Sequence, residues 1–179
     1  MQKNRMYTDV ETWNPFKGCL FDCIYCKPSF QAQAKRQKQN CMDCYNYTPH
    51  YHPERLERMP SAETVFVCGN GDISFCSKEY TESIIQSVRH FPKRTFYFQS
   101  KRPECFKPFL NQFPSNVILV TTLETNKDEG YSAISKAQPP SKRFEQFKGL
   151  DYARKIVTIE PMADFDLDIF TSWIKALHP

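Results

Sequence analysis

Three cysteines, Cys19, Cys23 and Cys26, lie in the stretch Gly18-Cys-Leu-Phe-Asp-Cys-Ile-Tyr-Cys26 at a C-x3-C-x2-C spacing. Thiolates this close in sequence can converge on one face of an iron–sulfur cubane and hold three of its irons, leaving the fourth open to a small molecule. Neither a helix nor a strand needs three cysteines at that spacing for packing. A closed zinc site would need a fourth ligand, which Cys41 or Cys44 could supply. Disulfides are a further reading of a chain with eight cysteines. Five of the eight fall between Cys19 and Cys44, however, and no apolar leader is visible at the N-terminus. That pattern is expected of a cytoplasmic metal- or cluster-binding protein.

A second set of ligands follows. Cys41-Met-Asp-Cys44 has a chelate spacing, and His50-Tyr-His52 could complete a tetrahedral zinc site or an auxiliary cluster. Pro49 and Pro53 flank the histidines and interrupt the run, so a polar loop surface without metal is the favoured reading of the two. Cys68, Cys76 and Cys105 are isolated and read as packing.

These residues must be held by a scaffold, and the apolar pattern indicates one. Thr64–Cys68, Thr95–Gln99, Asn116–Thr122 and Lys155–Ile159 read as strands, the third so apolar that it is expected to be buried on both faces. A weak first strand precedes Trp13-Asn14-Pro15. Helical spacing is visible over Tyr80–Phe91, Pro103–Phe113, Arg143–Tyr152 and Phe170–Leu177. Strand–helix alternation at this period implies an α/β fold with a parallel sheet, and ligand chemistry at the C-terminal strand ends. Those ends carry Gly69-Asn70-Gly71-Asp72, Ser100-Lys101, Thr122 with Glu124, and Glu160. The first also has a plain reading as a tight turn, and Glu124 and Glu160 have one as solvated loop charges.

The C-x3-C-x2-C loop after a first strand, with the aromatic Tyr25 directly before the last cysteine, resembles the signature of the radical S-adenosylmethionine superfamily. The resemblance extends over most of the chain as a partial (β/α) barrel with about five βα units visible and the sixth strand apparently missing. It implies that Cys19, Cys23 and Cys26 hold a [4Fe–4S] cluster whose open iron takes S-adenosylmethionine. Tyr25 would then lie beside the adenine. Gly69, Asn70 and Asp72 would stand where the superfamily carries a Gly-Gly-Glu-like segment near the methionine amino group. Ser100-Lys101 is similar to a pair in spore photoproduct lyase-like relatives, with Lys101 facing the methionine carboxylate. Thr122 and Glu124 fall where ribose contacts are made, and Glu160 at the last strand end. The whole pattern looks like a small prokaryotic and phage group of the superfamily, which names no substrate. A reductant protein of flavodoxin or ferredoxin type is the implied partner.

Bulk properties set the remaining bounds. The 179 residues form one domain, with the Cys/His-containing insertion at about 30–60. No apolar run is long enough for a bilayer, so no membrane partner is expected. The net charge of +4 and the basic residues near Lys35 and Lys101 would suit an anionic, macromolecular substrate such as nucleic acid, though solvated faces look alike. A non-catalytic module holding structural zinc or iron–sulfur is the rival reading.

Overall fold

The computed structural model describes residues 10–177. Among the described residues seven strands form in chain order: β1 (Val10–Trp13), β2 (Phe16–Lys17), β3 (His50–Tyr51), β4 (Thr64–Val67), β5 (Thr95–Gln99), β6 (Val117–Thr122) and β7 (Lys155–Thr158). Five of them, β1-β4-β5-β6-β7, make one sheet in which every pairing is parallel. The chain therefore has a mixed α/β fold, and each large strand is laid beside the one before it.

Register places Trp13, Val67, Phe98 and Leu119 in one row across four strands, and all four are buried. The period-two pattern of β4 and β5 turns alternate residues into this layer. All six residues of β6 are buried, as its apolar run requires for a central strand covered on both faces.

Helices cover the core face of the sheet. Apart from α1 (Ala32–Ala34) and α2 (Met42–Asn46), which belong to the insertion, these are α3 (Lys78–Arg89), α4 (Pro140–Lys148) and α5 (Leu167–Leu177). Ser77 starts α3, its hydroxyl accepting from the Tyr80 amide at 3.2 Å. Ile84, Ile85 and Val88 recur on one face of α3 and join Phe106, Phe109, Phe144, Phe147 and Phe170 in the main core. The helix expected over Pro103–Phe113 is instead a 3-10 helix over Pro103–Phe109. Pro108 lies inside it, and a proline there removes an amide donor and crowds the preceding turn of an α-helix.

The insertion is not a free loop. Phe16 pairs with Tyr51 and Lys17 with His50 in an antiparallel β2–β3 ribbon, and the His52 amide donates to the Pro15 carbonyl at 2.7 Å. Two-residue strands carry too little periodicity to be seen in sequence. Among the described residues no helix is long and apolar enough to cross a membrane.

Candidate functional site

The cysteine loop leaves β2 at Gly18, where three segments meet. Gly18 has φ +92°, and a Cβ there would lie 2.0 Å from the Thr48 carbonyl oxygen. Its amide donates to the Asn70 carbonyl at 3.1 Å and its carbonyl accepts from the Asp72 amide at 3.1 Å. Gly71 presses on the same backbone: a Cβ on it would lie 2.6 Å from the Gly18 oxygen. A Cβ on Gly69 would lie 2.9 Å from the Thr12 methyl. The glycines after β4 read in sequence as a tight turn or as a segment near a bound methionine amino group. Here the space a side chain would need is taken by the chain itself, by Thr12 and Phe66 at Gly69 and by the Gly18 backbone at Gly71. Asn70 likewise spends its main chain here, its amide donating to Asn14 Oδ1 at 2.9 Å.

The three thiols of this loop act on one another. Cys23 is buried, and its sulfur lies 3.1 Å from Ser135 Oγ and 3.6 Å from Lys101 Nζ. The hydrogen bond from the Cys26 thiol, assisted by the Lys101 charge and Ser135, brings the Cys23 thiol down to about 6 against the cost of burial. Cys26, which gives that hydrogen bond, is pushed up, and burial pushes Cys19 up. All three cysteines are unpaired. Such thiols could hold a metal cluster.

Glu124, beyond the end of β6, is the electrostatic centre next to them. It is 1% exposed and receives hydrogen bonds from the Tyr25 hydroxyl, the Lys101 ammonium, the Tyr131 hydroxyl at 3.2 Å and Arg143 Nη2 at 2.6 Å. Burial works against its ionisation, but Arg143 and then Lys101 outweigh it and hold the carboxyl below the usual range. Lys101 also lies over the Tyr25 ring at 4.3 Å. Tyr25, Lys101 and Glu124, singled out on separate segments, are thus brought together. Arg143, Tyr131 and Ser135 were missed as site residues. Arg143 carries no local signal, being one more charge on an amphipathic helix, and the other two sit in an irregular connection.

Asp72 is engaged by the chain itself. Its Oδ1 accepts from Ser100 Oγ at 2.7 Å and the Ser74 amide at 2.9 Å, and its Oδ2 from the Lys101 amide at 2.8 Å. Both carboxylate oxygens serve the chain, and they fix the backbone from which Lys101 projects. Thr122 is buried, its hydroxyl 2.9 Å from that of Thr158 and accepting from Gln99 Nε2 at 2.6 Å, while its carbonyl accepts from Arg143. Glu160 is exposed and does not join the group.

The second ligand set does assemble. One ligand atom each from Cys41, Cys44, His50 and His52 lies within 4.8 Å of all the others. The two prolines do not separate them: β3 carries His50, Pro53 begins a 3-10 turn just after His52, and α2 carries Cys44. This group could bind a metal.

Compared with protein-family models, curated proteins and solved structures, the chain matches none. The functional reading therefore rests on the geometry of its own residues.

Proposed function

We propose that the protein is a radical S-adenosylmethionine enzyme, with Cys19, Cys23 and Cys26 as the ligands of a [4Fe–4S] cluster. The observation that carries the reading is the meeting of this C-x3-C-x2-C loop with Lys101 and Glu124 at the C-terminal ends of parallel strands. The donor set fits such a cluster: three mutually interacting thiols on one loop, with Cys41 and Cys44 engaged in a separate group of their own. Sequential laying of parallel strands also suits the partial (β/α) barrel of that superfamily.

Within this reading the cluster and S-adenosylmethionine together supply reductive cleavage of the sulfonium and a 5′-deoxyadenosyl radical for hydrogen abstraction. The chain supplies binding and orientation. Lys101 and Arg143 bring two positive charges to the single Glu124 carboxylate, which leaves one cation to face the thiolates and the methionine carboxylate. Tyr25, tied to Glu124 through its hydroxyl, offers its ring as the wall beside the adenine. Glu124, held from four sides, would act on the bound molecule through Tyr25 and Lys101, which it fixes in place. Electrons would come from a flavodoxin- or ferredoxin-type protein, and a macromolecular, nucleic-acid substrate agrees with the basic net charge.

The test is anaerobic purification followed by reduction with dithionite in the presence of S-adenosylmethionine. A brown protein with four irons per chain that releases 5′-deoxyadenosine is expected. A colourless protein that contains zinc alone would instead identify a structural metal module.

A further inference from the structure

We infer that Cys41, Cys44, His50 and His52 form a mononuclear zinc site that fastens the insertion to the cysteine loop. The assignment does not depend on the proposed radical chemistry.

Hydrogen bonding orients both imidazoles and sets the tautomer of the neutral rings. His50 Nδ1 lies 2.7 Å from the Thr48 carbonyl oxygen and His52 Nδ1 lies 3.1 Å from Glu54 Oε1. A carbonyl and a carboxylate accept only, so each ring carries its proton on Nδ1 and presents a lone pair at Nε2. Yet the two Nε2 atoms stand 2.8 Å apart, and Cys44 Sγ lies 3.2 and 3.3 Å from them. Cys41 Sγ is 3.5 Å from His50 Nε2. Two facing lone pairs repel unless a proton or a metal ion lies between them, and two sulfurs converging on the same nitrogens suit a metal ion. Bond lengths to zinc of about 2.0–2.3 Å put neighbouring tetrahedral ligands roughly 3.3–3.8 Å apart; the sulfur–nitrogen separations of 3.2–3.5 Å lie at or near that range, and the two nitrogens, at 2.8 Å, would part by about half an ångström to take the ion. A two-iron centre would need its histidines and cysteines on different metals, so this spacing favours one ion.

The surroundings suit that ion. Two thiolates neutralise Zn²⁺, and Lys17 Nζ donates to Cys44 Sγ at 3.2 Å, as expected of a cation beside a metal-bound thiolate. Thr48 and Glu54 hold the rings in the manner of outer-shell partners. Four ligands close the coordination, which marks a structural site.

Its position gives it a task. Lys17 and His50 pair across the β2–β3 ribbon, the Cys19 amide donates to the Tyr47 carbonyl at 3.2 Å, and Gly18 abuts Thr48. The segment between the two zinc-binding pairs therefore touches the start of the cysteine loop at Tyr47 and Thr48. Zinc holds that wall in place.

Elemental analysis of the purified protein tests this, with the Cys19→Ala/Cys23→Ala/Cys26→Ala variant as the iron-free control. One zinc per chain is expected in both, and none in Cys41→Ala/Cys44→Ala. Cobalt exchanged into the wild-type protein should show the intense d–d bands of a tetrahedral S2N2 site, which does not depend on any variant folding. Hydrogen exchange over residues 41–52 and at Cys19 should rise when zinc is withdrawn by a chelator. Zinc retained by the Cys41→Ala/Cys44→Ala variant, zinc lost with the first three cysteines, or a weak octahedral cobalt spectrum would overturn the assignment. Failure of S-adenosylmethionine cleavage would leave the assignment standing and strike only the proposed activity.

Discussion

Lys101 and Glu124 leave the ends of neighbouring strands and meet as an ion pair, 12% and 1% exposed, with the ammonium 3.6 Å from the sulfur of Cys23. One carboxylate thus links the cysteine loop, through Lys101 and Tyr25, to Arg143 on α4. Its consequences can be measured.

Arg143 is fully buried and pairs with Glu124 at 2.6 Å. Glu124→Gln should cost about 3–5 kcal/mol of unfolding free energy, the usual cost of leaving one partner of a buried pair uncompensated. Urea titration measures it. A loss under roughly 1 kcal/mol would mean that the pair behaves as a solvated one.

The Glu124 carboxyl is held below its ordinary range by Arg143 and Lys101. A depressed carboxyl stabilises the fold at pH values above its unfolded-state pKa, and that stability is lost as pH falls through its folded-state pKa. Stability of the wild-type protein should therefore drop with acidification in the carboxylate range, and the slope should be shallower in Glu124→Gln. Identical slopes from paired denaturation series would remove Glu124 from the acid response.

Single replacement of Cys19, Cys23 or Cys26 by Ala should abolish assembly of a four-iron cluster, since each thiolate would bind a separate iron. Iron and sulfide assays after anaerobic reconstitution decide it. Four irons retained in the triple variant would end the central proposal.

Lys101→Ala should weaken S-adenosylmethionine binding by roughly tenfold or more, the value of one charge-assisted contact on the order of 1.5–3 kcal/mol. Iron content should stay unchanged, because no ligand is removed. Equal affinities by calorimetry would confine Lys101 to its pairing with Glu124.

Gly71→Ala would put a methyl group 2.6 Å from the Gly18 carbonyl oxygen, against backbone that has little room to retreat. A cost of about 1–3 kcal/mol is expected, together with poorer iron loading of the adjacent loop. Gly149→Ala meets nothing closer than 3.4 Å and should stay within about 0.5 kcal/mol of wild type. Equal midpoints for both in urea would refute the close approach of β4 to Gly18.

Much of the scaffold could be read along the chain. The strands Thr95–Gln99 and Val117–Thr122 and the helix Lys78–Arg89 fall close to where their apolar spacing puts them, because each buries a face whose periodicity is local. The 3-10 helix around Pro108 departs from that pattern for a reason that is also local. The β2–β3 ribbon does not, since two paired residues on each side leave no period to detect.

For the site, the sequence by itself determined the chemical inventory: three thiols at one loop's spacing, a C-x2-C pair with two histidines, and Lys101 and Glu124 at strand ends. Ligand type and short-range spacing are covalent properties and survive without a fold. Tertiary structure decided how the inventory is divided. Asp72 is turned inward to Ser100 and Lys101, 28 and 29 residues away, and Arg143 reaches Glu124 across 19 residues. Glu160 stays at the surface. Such partnerships follow from strand register and helix docking, where burial forces each charge to find a counter-charge or hydrogen-bond donors, and no local pattern encodes which partner it will be. The same holds for His50 and His52: their identity is written in the chain, but it is the packing of β3 against β2 that turns two flanked, unremarkable loop residues toward Cys41 and Cys44.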